Sequence, residues 1–132
     1  MMTMDKAQLV LQAAVTKAQE IGQPMNVAVV DAGANLTAFA RMEGAWLGSI
    51  DIAINKAFTS KAFDITTRDL GSNSQPGNQF YGIHASNHGR VMIFAGGVPL
   101  KVNGQVVGAV GVSGGSGEQD QAVADAAAAA CS

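Results

Sequence analysis

Val98-Pro99-Leu100-Lys101-Val102-Asn103-Gly104-Gln105-Val106-Val107-Gly108-Ala109-Val110-Gly111-Val112 sets two apolar, β-branched runs on either side of Asn103-Gly104. Both residues of that pair adopt positive φ readily, so the pattern predicts a tight hairpin with strands over Val98 to Val102 and Gln105 to Val112. Ser113-Gly114-Gly115-Ser116-Gly117 follows, then an Ala-rich helix from Glu118 to about Ala130. Ser116 and Gln119 stand three apart, as a capping box requires.

The N-terminal part has the same grammar. Met4, Ala7, Leu11, Ala14, Val15, Ala18 and Ile21 recur at helical spacing, with Thr3 placed to cap the start and Gly22 and Pro24 to end the helix. Asn26 to Val30 reads as a central strand, Asp31 to Asn35 as a turn with Gly33 at positive φ, and Leu36 to Arg41 as the returning strand. A helix is expected from Leu47 to Phe63, its buried stripe being Ile50, Ala53, Ile54, Ala57 and Phe58, with Lys56 and Lys61 elsewhere on the circumference. Thr66 or Thr67 caps a short helix around Arg68 to Leu70. Residues 71 to 90 are so rich in turn formers that they predict a long, partly irregular loop, with one helical turn at Gln79 to Ile83. The order α-β-β-α-(α)-loop-β-β-α implies one α+β domain over residues 1–132, a mainly antiparallel sheet of two hairpins packed by helices.

Composition narrows the function classes. Of 132 residues 48% are hydrophobic and 14% charged, which favours burial against further copies of the chain. Net charge is −2 and no basic run occurs, so neither a nucleic-acid nor an anionic-membrane partner is expected. One cysteine, no signal-type apolar stretch and no span of transmembrane length read as cytoplasmic.

Chemistry has few places to live. The glycine run at 111–117 matches neither a P-loop nor a dinucleotide fingerprint; it is either an anion cradle or a tight strand-to-helix connection. His84 and His88 are the only histidines, both in the irregular segment. They lack the glutamate of the zincin motif and a clear further zinc ligand, so no metal site is expected. Each imidazole can ligate a haem iron, move a proton or simply be solvated. Arg41, Glu43, Lys56 and Lys61 are the remaining polar set: its cations at sheet and helix rims can hold ligand carboxylates, or all four are ordinary solvated charges, Glu43 pairing with one of the others.

Several segments together resemble the GlcG/HbpS family. Val29 to Leu36 is similar to its first hairpin, and Arg41-Met42-Glu43-Gly44-Ala45 to its Arg-x-Asp-Gly-Ala segment with Glu in place of Asp. Ser49-x-x-x-Ala53-x-x-Lys56-Ala57, Gly96-Gly97-Val98-Pro99-Leu100 and Val106 to Gly114 complete the pattern. The resemblance spans residues 5 to 130 and extends to the C-terminal domain of PduO-type proteins. It implies a profilin-like fold, assembly into higher oligomers, and a haem-binding or haem-degrading role in some relatives. Some of these place a ligating His in the first helix, where this chain has none; His84 and His88 are the substitutes available.

The expectation is an oligomeric ligand-binding protein whose cofactor is haem or a related tetrapyrrole. Arg41, Glu43, Lys56, His84 and His88 would line a pocket between the 71–90 loop, the Arg41–Ala45 turn and the helix bearing Lys56. Two alternatives stand beside it: an enzyme acting on a small organic acid or aromatic compound with a His as general acid/base, and a structural accessory protein of a metabolic operon.

Overall fold

The computed structural model describes residues 1–132. Helix α1 (Met4–Ile21) starts where Thr3 Oγ1 accepts from the Lys6 amide at 3.1 Å and stops at Gly22, φ 74°. Strands β1 (Asn26–Asp31) and β2 (Leu36–Arg41) form the first hairpin, followed by α2 (Gly48–Phe63) and α3 (Thr67–Ser72). Two 3-10 turns, Ile83–Ala85 and Asn87–Gly89, interrupt the irregular segment before β3 (Gly97–Val102), β4 (Gln105–Ser113) and α4 (Gly117–Ala129). The helical turn expected at Gln79 to Ile83 thus forms slightly later. The α+β class and element order are those expected.

The sheet has four antiparallel strands in the order β2-β1-β4-β3, so the two hairpins join through β1 and β4. At the first turn the positive φ falls on Ala34 (62°) rather than Gly33. The Asp31 carboxylate accepts from the Gly33 and Asn35 amides, each at 2.9 Å, and closes the loop around them. At the second turn both Asn103 (φ 52°) and Gly104 (φ 78°) are left-handed. Ser116 and Gln119 make both bonds of the capping box.

Alternation along the strands sends side chains to two cores. Val27, Val29, Leu100, Val110 and Val112 pack with α1 and α4 on one face. Ala28, Val30 and Ala109 pack with Ala53 and Ala57 of α2 on the other. The second face is built from small residues. A Cβ at Gly111 would collide with the Ala53 carbonyl and the Ala57 amide, so α2 rests its backbone almost directly on β4.

That close approach corrects the stripe expected for α2. Ala53 and Ala57 are buried, but Ile50, Ile54 and Phe58 are only half-buried, while Ser49, Lys56, Thr59 and Ser60 are buried instead. No room for Ile remains above Ala and Gly, and the polar residues find partners. Thr59 Oγ1 accepts from the Met92 amide at 2.9 Å, donates to the Asn55 carbonyl at 2.7 Å and lies 3.2 Å from the Arg90 carbonyl, and Ser60 Oγ donates to the Ile65 carbonyl.

The second hairpin depends on backbone that a β-branched side chain disfavours. Gly104→Val should destabilise the fold by about 1–3 kcal/mol. Thermal denaturation checks this, and an unchanged melting temperature would contradict the turn assignment.

Candidate functional site

Lys56 departs most from its sequence reading. It does not sit at a rim; it is 0% exposed. Its Nζ donates to Asp120 Oδ2 at 3.0 Å and to the Val112 carbonyl at 2.8 Å, under the ring of Phe94 at 4.8 Å. Asp120 is buried too, and its Oδ1 accepts from the Gly115 amide at 2.9 Å. The amides of the glycine run therefore serve this carboxylate and the cap, which decides for the tight strand-to-helix connection. Burial pushes the Lys56 ammonium below its ordinary range and the Asp120 carboxyl above its own, while their mutual attraction opposes both shifts. Nothing in the sequence near Asp120 sets it apart from Glu118 in the same first turn.

Arg41 is exposed at the end of β2, with Nη2 3.4 Å from the Ala45 carbonyl. Glu43 is exposed in the turn that follows and belongs to none of the three ion pairs. Beyond it, Trp46 and Leu47 are 65% and 77% exposed. Lys61 pairs with Asp64 at 2.8 Å.

His84 and His88 are both exposed. His84 opens its imidazole to solvent beside Tyr81, the rings meeting edge-on with centroids 5.8 Å apart. Phe80, Tyr81 and Phe94 are exposed aromatic surface in the same segment. His88 lies at φ 59° next to Gly89. The segment returns to the body of the fold at Arg90, whose guanidinium stacks 3.6 Å from the Phe58 ring.

Within one chain these groups do not meet. Arg41 and Glu43 stand by the start of α2, whereas Arg90 touches Phe58 ten residues along it, roughly 15 Å away at helical rise. Two open concavities exist, of about 470 and 380 Å³. The first is lined by Met1, Met2, Asp31 and Val106 among others, the second by Asp64, Thr66, Asp69 and Lys101. Neither includes a histidine, Arg41, Glu43 or Lys56.

A family model described as haem degrading protein HbpS-like matches residues 2–129. The chain belongs to the HbpS-like family. Among relatives, it is 42% identical over 125 residues to an uncharacterized 15.0 kDa protein of the dhaT-dhaS intergenic region of Citrobacter freundii, covering 95% of this chain and 88% of that one. The solved PduOC:heme complex superposes with TM-score 0.93 at 37% identity, covering 98% of this chain and 94% of that one. A double mutant of HbpS from Streptomyces reticuli gives TM-score 0.85 at 32% identity, covering 97% and 85%.

In this HbpS-like chain, removing one member of the buried pair leaves the other charge stranded. Asp120→Asn should cost about 3–5 kcal/mol at neutral pH. It also removes the attraction that holds the lysine's proton, so the folded pKa of Lys56 falls further below its ordinary 10.5. A lysine with a depressed folded pKa penalises folding at low pH, and the penalty fades as pH rises toward the unfolded value. The variant's melting temperature should therefore climb, relative to wild type, between pH 7 and pH 10; a deficit independent of pH would contradict the charged pair.

Proposed function

We propose that this protein binds haem or a related tetrapyrrole on the outer surface of the 73–94 segment, as part of an oligomer. The observation that carries the reading is the close superposition, over nearly the whole chain, on a relative solved with haem bound. The residues of this chain fit such a group. His84 presents an accessible imidazole, Phe80, Tyr81 and Phe94 offer exposed aromatic surface, and Arg41 has a guanidinium suited to a carboxylate. Bound haem supplies a redox-active iron. The chain would supply the His84 imidazole to that iron, Phe80, Tyr81 and Phe94 as apolar cover, and Arg41 as a partner for the carboxylates.

His84 is preferred over His88 because its ring shares the aromatic part of the segment with Tyr81. Arg41 and Glu43, at the other end of α2, would act from a neighbouring copy. Lys56, spent on Asp120, would support the scaffold below Phe94 and leave the propionates to Arg41. Assembly would also cover Trp46 and Leu47, apolar surface that a soluble monomer rarely leaves open.

Hemin titrated into the apoprotein should saturate and give a sharpened, shifted Soret band. His84→Ala should abolish the shift, His88→Ala should spare it, and Arg41→Ala should weaken affinity without moving the band. Weak, unsaturable adsorption indifferent to all three substitutions would overturn the reading. Light scattering should give at least twice the monomer mass, and a species that stays monomeric with rising concentration would remove the assembly.

A further inference from the structure

At the end of the sheet nearest the start of α2, Arg41, Asn26 and Ser113 stand side by side on β2, β1 and β4. Asn26 pairs with Arg41 on one side and with Ser113 on the other. Residues directly opposite in an antiparallel ladder share a face, with Cβ atoms about 4.5–5.5 Å apart. Here the face is that of α2. Asn26 Nδ2 donates to the Trp46 carbonyl at 2.9 Å, and Ser113 Oγ donates to Ser49 Oγ at 3.1 Å.

The row is incomplete in a specific way. Asn26 is fully buried and its Oδ1 has no hydrogen-bond partner. Turning the amide over would only set that oxygen against the Trp46 carbonyl. Ser49 is also buried; it and Ser113 share one hydrogen bond between two rotatable hydroxyls, so one proton of the pair is left without an acceptor in the chain, and Ser49 can turn to offer it. The Ser49 amide and Asn26 Nδ2 donate to the same Trp46 carbonyl, at 3.1 and 2.9 Å, so the open donor and the open acceptor are neighbours. Buried polar groups are nearly always paired, and an unpaired set of this kind calls for an occupant.

We infer that Arg41, Asn26 and Ser49 form a binding site for a small α-hydroxy carboxylate. The ligand hydroxyl donates to Asn26 Oδ1 and accepts from Ser49, closing both open positions with one group. The carboxylate faces the Arg41 guanidinium, which spends one N–H on the Ala45 carbonyl and keeps the others. An ammonium in place of the hydroxyl would bring three protons to a single open acceptor. Neither concavity reaches this row. Entry therefore requires the 42–47 segment to lift, and its Trp46 and Leu47 side chains are exposed and outside both cores.

The test is calorimetric titration of hemin-free protein with lactate and, in parallel, with propionate, which lacks the hydroxyl. Lactate should bind saturably and propionate roughly 30-fold more weakly, the worth of the two hydrogen bonds that its missing hydroxyl would make. Ser49→Ala, with its fold checked by circular dichroism, should lower lactate affinity about fivefold, because the hydroxyl keeps its bond to Asn26 Oδ1. Absent or unsaturable lactate binding, equal affinity for the two acids, or Ser49→Ala binding lactate like wild type would each overturn the site. So would lactate-soaked crystals in which water alone bridges Asn26 and Ser49. If Ser49→Ala does not fold, the comparison of the two acids on wild-type protein decides. With no hemin present, the outcome is separate from that of the Soret titration.

Discussion

Lys56 and Asp120 meet 3.0 Å apart in a place where neither touches water, one carried by the helix on one side of the sheet and the other by the helix on the opposite side. Desolvating two ions costs several kcal/mol each, and the contact is tolerable only when the remaining donors and acceptors are filled. They are filled here by the Val112 carbonyl near the end of β4, by the Gly115 amide and by the face of Phe94. Much of the architecture follows from that condition. The β4–α4 connection has to be tight enough to aim Asp120 back at the strand end. Helix α2 has to lie at the depth where a lysine spans from its axis to that same point. A shift of either helix by one turn would leave a charge buried alone, so the pair fixes the relation of the two layers.

The depth of α2 is set independently by the sheet beneath it. Ala28, Ala109 and Gly111 remove side-chain bulk from the middle of the face, and the helix settles onto the backbone. Close seating makes the α2 core narrow and leaves its margins to polar contacts: Ser49 with Ser113 at one end, Thr59 with Arg90 and Met92 further along. The groups with chemical potential collect at these margins rather than in a cavity. Neither open concavity includes a residue of α2.

Local signals in the sequence carried a long way. The caps at Thr3 and Ser116, the Asn103-Gly104 turn and the strand boundaries depend on residues within a few positions of each other, and they read almost to the residue. What failed was what depends on distance along the chain. Lys56 and Asp120 are separated by 64 positions, and nothing near either announces the other. The α2 stripe was misjudged because apolar periodicity assumes that the surface opposite has ordinary bulk, which Gly111 denies. Asn26 looked like the first residue of a strand and nothing more, since an unpaired carbonyl oxygen is visible only once the partners are in place. His84 and His88 were singled out because their segment is irregular, and their accessibility agrees with that reasoning without deciding their role.

The irregular segment has a further meaning for how such a protein can change over time. From Gln75 to Arg90 nearly every residue is exposed, and many of its backbone bonds are made within the segment, such as Tyr81 to Asn78 and Ala85 to Gly82. It is moored at its two ends, by the Gln75 side chain to the Gly71 carbonyl and by Thr59 to the Arg90–Met92 stretch. Between those moorings, residues can be exchanged, inserted or lost without disturbing a strand register or a buried charge. A lineage can therefore replace this exposed surface while inheriting the sheet intact. Two members of one family can share a scaffold closely and still part company over what they hold.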